Sequence, residues 1–238
     1  LIVIGGGDGT LSQAADALVD AGLPLGILPL GTANDLARTL GLPNDLHSAV
    51  DVIVRGQRKR IDLGWVNGTH FFNVASIGLT SSLTRRLSRQ GKSRWGILAY
   101  AFAAIRVAVR ARPFSAEIRT ENETLHVRSV QIAVANGKHY GGGMTIDENA
   151  RIDDGQLHLI SVEVEHWRQL IPLLPSLRTG TFAAGSRVRT LQGGQFEIRV
   201  SGKRRSKILA DGELTSRTPA VFRLVPSALE VFVPADNA

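Results

Sequence analysis

The chain has 238 residues, of which 43% are apolar and 21% charged, with a net charge of +7. This is the composition of a soluble globular protein with chain enough for one large or two ordinary cores, not of a disordered or fibrous one. The lack of cysteine excludes disulfides and cysteine-based zinc sites, and the longest apolar stretch, 96–111, is broken by Arg106 and Arg110 before it could span a membrane. The positive charge suits an acidic partner, whether a nucleotide, an anionic membrane surface or nucleic acid. Aromatics make up only 5% and do not interleave with the basic runs, which argues against nucleic acid. With no signal peptide in view, a cytoplasmic protein is expected.

The first elements read as an α/β unit. The apolar run Leu1-Ile2-Val3-Ile4 predicts a strand, and Gly5-Gly6-Gly7-Asp8-Gly9-Thr10 the loop that ends it. Leu11, Ala14, Ala15, Leu18 and Val19 then recur at helical spacing up to Gly22, with Thr10 as the expected N-cap. A strand–glycine loop–helix turn aims backbone N–H groups and a helix dipole at one point, which suits a phosphate. A tight turn without a ligand has the same glycines; the embedded Asp8 distinguishes them, because a carboxylate beside phosphate is costly without a metal or a transferable proton. Because the chain opens inside an apolar strand, further βα units upstream are expected to flank it.

Leu25–Leu30 predicts a second strand, Gly31-Thr32-Ala33-Asn34-Asp35 a second polar loop, and two helical patterns follow, from Leu36 to Gly41 and from Leu46 to near Gly56. Both polar loops lie at strand C-termini, the edge where open α/β sheets bind ligands. Beyond Arg60 the period changes. Ile61–Val66, Asn67-Gly68 and Thr69–Ala75 predict a hairpin, and helical patterns follow around Leu79–Leu87 and Leu98–Val109. Short strands are then expected at Ala116–Thr120, Leu125–Ala135, Leu157–Val164, Gln195–Val200, Lys207–Ala210, Ala220–Val225 and Ala228–Val233, interrupted by one helix at His166–Leu177. The domain break is placed at residue 60, giving 1–60 as a nucleotide-binding α/β domain and 61–238 as a β-rich sandwich.

Three acidic turns stand out in the second part. Gly141-Gly142-Gly143 with Asp147, Glu148, Asp153, Asp154 and Gly155 suits a hard-cation site, though an Asp-Asp-Gly turn needs no metal. Asp211-Gly212-Glu213 reads by itself as a hairpin turn; Asp62 is an acid inside the first hairpin where an apolar residue is expected, with an exposed edge position as the plain alternative. The basic runs Arg55–Arg60, Arg85–Arg94 and Lys203–Lys207 are ordinarily solvated faces; the middle one, beside Trp95, could also rest on anionic lipid.

Taken together, Gly6-Gly7-Asp8-Gly9-Thr10, the run Leu28–Arg38, Asp62-Leu63-Gly64, Phe72–Gly78, Gly141-Gly142-Gly143, Asp153-Asp154-Gly155 and Asp211-Gly212-Glu213 resemble the diacylglycerol kinase catalytic-domain family, which includes bacterial soluble lipid kinases and the sphingosine and ceramide kinases. The resemblance runs through nearly the whole chain in order. It implies a phosphofructokinase-like α/β domain without its first βα unit, a β-sandwich, and a cleft between them, with the strand near 228–233 returning to the first domain. It implies a lipid kinase using ATP and Mg²⁺, in peripheral contact with membranes, with a homodimer among the allowed assemblies. It places Gly6, Gly7, Asp8, Gly9, Thr10, Leu11, Ser12, Thr32 and Asn34 at the nucleotide, and Asp154 with the carbonyls of Arg151 and Gln156 at a magnesium ion. Asp8, Asp62 and Glu213 become the acidic cluster facing the transferred phosphoryl group, with Glu213 as base and Asp8 its rival. The glycine loop is shared with NAD kinases, so a phosphotransferase acting on a soluble substrate is the alternative, as is a non-catalytic regulatory member.

Overall fold

The computed structural model describes residues 1–78, 112–140, 144–146, 150–173, 176, 179–182, 186–202 and 205–235. The helices expected around Leu79–Leu87 and Leu98–Val109, the run Arg85–Arg94, the Gly141–Gly143 triplet, Asp147 and Glu148 lie outside these residues.

The α/β unit consists of β1 (Ile2–Gly6), α1 (Asp8–Ala21), β2 (Leu25–Pro29), α2 (Asp35–Thr39) and α3 (Leu46–Val54). β1 and β2 pair in parallel, Ile4 opposite Ile27, so both polar loops leave the same sheet edge. α1 starts at Asp8 with Gly7 as its N-cap, which corrects the expectation of Thr10: the Gly7 carbonyl already accepts the Thr10 and Leu11 N–H groups. The helix ends as its pattern predicts, at Gly22 with φ 60°, a conformation that glycine adopts without steric cost.

Most of the other described residues form strands. β3 (Arg58–Val66) and β4 (Thr69–Phe71) form the expected hairpin about Asn67 and Gly68, both at positive φ. The expected second arm does not stay in one sheet. It breaks at Phe72-Asn73, and β5 (Val74–Gly78) joins a different sheet. The stretch 125–135 divides in the same way, into β6's partner β7 (Thr124–Ser129) and β8 (Gln131–Ala135), after β6 (Phe114–Arg119). β9 (His139–Tyr140) and β10 (Met144–Thr145) form a small ladder, and β11 (Leu157–Val162) follows. A 3₁₀-helix, Trp167–Leu173, occupies the first part of the expected helix and contains Pro172, which cannot donate to an α-helical ladder, and Ser176 beyond it is α-helical. β12 (Val188–Gly193), β13 (Gln195–Val200), β14 (Lys207–Ala210), β15 (Glu213–Arg217) and β16 (Ala220–Phe232) complete the chain.

One sheet is ordered β1-β2-β16-β13-β6-β7, with β3 on β16 and β4 on β3; the other is β12-β11-β8-β5-β14-β15. Their facing side chains, among them Phe71, Ile77, Ile118, Val134, Leu159, Phe196, Ile208 and Phe222, make the sandwich core. A second core joins α1 and β2 to β3 and the end of β16, through Leu18, Leu25, Ile27, Ile61, Leu63, Phe72 and Val231. β16 is what connects the layers. Its first part pairs with β13, residues 222–225 and 229–232 with β3, and Val231 with Leu25 of β2 in parallel. The two strands expected at 220–225 and 228–233 are thus one strand with an irregular register between Val225 and Leu229, at Pro226 and Ser227. Among the described residues, no helix is long and apolar enough to cross a membrane.

Candidate active site

The glycine loop and the second polar loop are packed against each other. A Cβ built on Gly31 would overlap the Cα of Gly7 and stand 2.5 Å from Asn34 Oδ1. Asn34, at φ 50°, shapes that second loop by donating from Nδ2 to the carbonyls of Pro29 (3.3 Å) and Gly31 (3.1 Å). Gly31→Ala is therefore expected to force the loops apart, costing about 1–3 kcal/mol of stability; thermal unfolding checks this. Of the expected nucleotide residues, Leu11 and Ser12 are buried in α1, so their side chains face the core, whereas Thr10 and Thr32 are exposed at the rim.

Asp8 lies at the first turn of α1. Its Oδ1 accepts the Leu36 N–H at 3.2 Å, which ties the glycine loop to the start of α2. Burial pushes its carboxyl up, the Leu36 N–H opposes this, and the carboxylate of Asp35 raises it further. Glu213, exposed at the start of β15, reaches back to the same loop: a Cβ on Gly9 would stand 3.8 Å from Glu213 Oε1. The turn that looked like a plain hairpin thus delivers a carboxylate from the sandwich to the phosphate-type loop of the α/β unit.

Asp211, two residues earlier, has a separate task that sequence reading did not assign. Its carboxylate accepts the N–H groups of Phe72 (2.7 Å), Asn73 (3.0 Å) and Val74 (3.0 Å). Although the residue is only half-buried, protein encloses the carboxyl group itself, and burial raises its pKa to about 6 against those three donors. The Asp8 charge adds to the rise, so the two acids sense each other. The clue in sequence was φ-tolerant Asp-Gly after a buried strand; Asp211 does sit at φ 46°.

Asp62 is buried in β3, not at an exposed edge. Both its oxygens accept backbone N–H groups, Oδ1 from Ser227 (2.7 Å) and Oδ2 from Gly155 (2.9 Å). It joins the irregular part of β16 to the Asp153-Asp154-Gly155 loop.

In that loop the Asp154 carboxylate accepts the N–H groups of Arg151 (Oδ2) and Gln156 (Oδ1), both at 2.9 Å, and Oδ2 also lies 3.0 Å from His158 Nε2. Gln192 Nε2 faces His158 Nδ1 at 3.4 Å, an arrangement in which Nδ1 accepts and Nε2–H donates to Asp154. The Asp154 carboxyl is held below its ordinary range: burial opposes, but the His158 bond and the two backbone N–H groups outweigh it. Asp153 is held low by the Arg151 guanidinium and by Lys59, whose Nζ lies 3.0 Å away. Among the described residues no three His, Asp or Glu side chains converge as a metal cluster. Of what a hard cation needs, the site shows an ionised carboxylate with a lone pair left on Oδ1, while the backbone groups directed at that carboxylate are N–H donors.

The class of fold is thus an α/β unit on a β-sandwich, with Glu213 from the sandwich meeting the glycine loop, and comparison with known proteins supplies the family. Residues 1–66 match the diacylglycerol kinase catalytic domain, and residues 73–233 match the YegS C-terminal NAD kinase beta sandwich-like domain. The chain is 32% identical to a "Probable lipid kinase YegS-like" of Klebsiella pneumoniae, across 99% of this chain and 78% of that protein. It is 32% identical to a "Diacylglycerol kinase" of Mycobacterium tuberculosis, covering 98% of this chain and 76% of the relative. An uncharacterized Synechocystis protein is 30% identical over the whole chain, which spans 55% of that relative's length. A crystal structure of a diacylglycerol kinase from Bacillus anthracis superposes over 100% of this chain and 77% of its own, with a TM-score of 0.76 at 21% identity, a likeness of fold. The chain belongs to the diacylglycerol kinase catalytic-domain family, whose members are lipid kinases.

Proposed function

We propose that the protein containing this chain transfers the γ-phosphoryl group of ATP to a hydroxyl of diacylglycerol or a related lipid, with Glu213 as general base. The observation that carries this reading is the Glu213 carboxylate beside Gly9, where a phosphate held by the first turn of α1 would lie. Phosphoryl transfer needs positioning and charge neutralisation more than covalent help. The positive end of the α1 dipole at the glycine loop and the Gly31–Asn34 loop hold the donor phosphates. Glu213, exposed to an incoming hydroxyl, takes its proton as the P–O bond forms. Asp8 is the weaker candidate for that proton, since its Oδ1 already accepts the Leu36 N–H. Asp62 serves as a positioning group, because both its oxygens hold backbone N–H groups.

A magnesium ion would be held by Asp154 with the carbonyls of Arg151 and Gln156. When bound it supplies positive charge and fixed geometry to the loop that Asp62 grips. Asp154→Asn, which keeps an acceptor for the N–H groups, is expected to lower activity and to abolish the gain in melting temperature on adding Mg²⁺. An unchanged metal response removes Asp154 from the site. Peripheral contact with anionic lipid through the basic surface is part of this reading; vesicle binding that ignores both salt and anionic lipid content would sink it. The direct test is transfer of radiolabel from ATP to a lipid panel by the full-length protein, and no labelled lipid would overturn the proposal.

A further inference from the structure

The Phe72-Asn73 link, where the chain leaves one sheet for the other, poses a problem of backbone satisfaction. Phe72 is 1% exposed and Asn73 4%, and both lie between β4 and β5, outside either ladder. Their N–H groups go to Asp211. Their carbonyls go to Asn136, at the end of β8: its Nδ2 donates to Phe72 O at 3.0 Å and its backbone N–H to Asn73 O at 2.9 Å. Asn136 Nδ2 also donates to Asp62 O at 2.7 Å.

Asn136 thus holds the residue whose carboxylate grips Gly155 and Ser227, and also the link whose N–H groups grip the carboxylate of Asp211. It is completely buried. Two carbonyls facing one amide dictate that Nδ2 points at them, which leaves Oδ1 buried with no hydrogen-bond partner among the described residues. An unpaired buried acceptor is costly, and an apolar side chain of the same size would avoid it. Only the two donated bonds justify asparagine there. The next residue, Gly137, lies against Thr39 of α2 and Ile152 near the Asp154 loop, so this point is also where sandwich and α/β unit meet.

We propose that Asn136 is a positioning residue for phosphoryl transfer: its amide sets the Phe72-Asn73 link and the Asp62 backbone together, and so places the Asp211-Gly212-Glu213 turn against the glycine loop. The proposal rests on the kinase reading above for its kinetic consequence but not for its structural one. The test uses Asn136→Leu, which removes the donors at similar volume, and Asn136→Ser, which retains one donor, in the full-length protein.

Two measurements follow. In kinetics with ATP and diacylglycerol in mixed micelles, kcat per folded molecule should fall roughly 10- to 100-fold in Asn136→Leu, with serine between, while KM for ATP changes little. In native-state hydrogen exchange, amides of Phe72, Asn73, Val74, Gly155 and Ser227 should exchange faster together, with those of β6 and β13 unchanged. Wild-type kcat per folded molecule, or exchange that rises uniformly across both sheets, overturns the proposal; so does failure of both variants to fold, which would make Asn136 a folding residue only. Should the wild type phosphorylate no lipid, the kinase reading fails, and hydrogen exchange still decides whether Asn136 links the two carboxylate grips.

Discussion

Glu213→Gln is expected to lower turnover by roughly 10²–10⁴-fold, the usual worth of a general base, while ATP affinity stays near wild type. The glutamine keeps the size and most of the polarity of the side chain, so it removes the proton acceptor and little else. Glu213 is exposed and makes no contact that the fold depends on among the described residues, so the variant should melt close to the wild type. Steady-state kinetics with a lipid hydroxyl acceptor, alongside nucleotide titration, provide the check. Turnover near wild type would move the base to Asp8, and Asp8→Asn would then be the variant that loses activity with its ATP affinity retained.

Asp211→Ala should be costly to the fold instead. Phe72, Asn73 and Val74 would each lose the acceptor for an N–H group, and at about 1–3 kcal/mol per buried unsatisfied group the total is about 3 kcal/mol or more. The cost should also depend on pH, with a definite sign. The folded pKa of Asp211, about 6, stands above the ordinary carboxylate value of about 3.9 that the unfolded chain has. Between these values the native state holds the proton that the unfolded state has released. The contribution of Asp211 is therefore complete below about pH 4 and is lost as pH rises through 6. Asp153 and Asp154, held low, behave oppositely: what they contribute is present above the ordinary carboxylate pKa and lost as pH falls. Denaturant unfolding of wild type and Asp211→Ala at pH 4 and pH 7 should thus give the larger difference at pH 4. A larger difference at pH 7 would mean that the carboxyl is not raised.

The same arrangement explains why the acidic turn carries two roles in three residues. Asp211 faces inward and is consumed by backbone donors, while Glu213, past the turn on β15, faces the glycine loop. A hairpin turn needs neither. The positive φ of Asp211 and Gly212 makes the reversal, and the buried β14 before it fixes how deep the first carboxylate lies.

What the sequence determined alone was whatever depends on near neighbours. The Gly22 stop, the Asn67-Gly68 turn and both polar loops at strand ends follow from side-chain period and backbone sterics, and each is found where the residues call for it. The motif order carried a resemblance to the family that the family models and relatives show. The tertiary structure alone decided which strand pairs with which, because a period of two tells a strand its faces but not its partners. Nothing local says that 69–78 and 124–135 each divide between two sheets, or that β16 runs unbroken past Pro226 from β13 to β2. Nor does spacing show that Asp62 is occupied by Gly155 and Ser227, or Asp211 by Phe72–Val74, since the partners lie far off in the chain. Backbone groups at a sheet crossing have no ladder to satisfy them, and distant side chains must. Those are the places where the site's geometry is set.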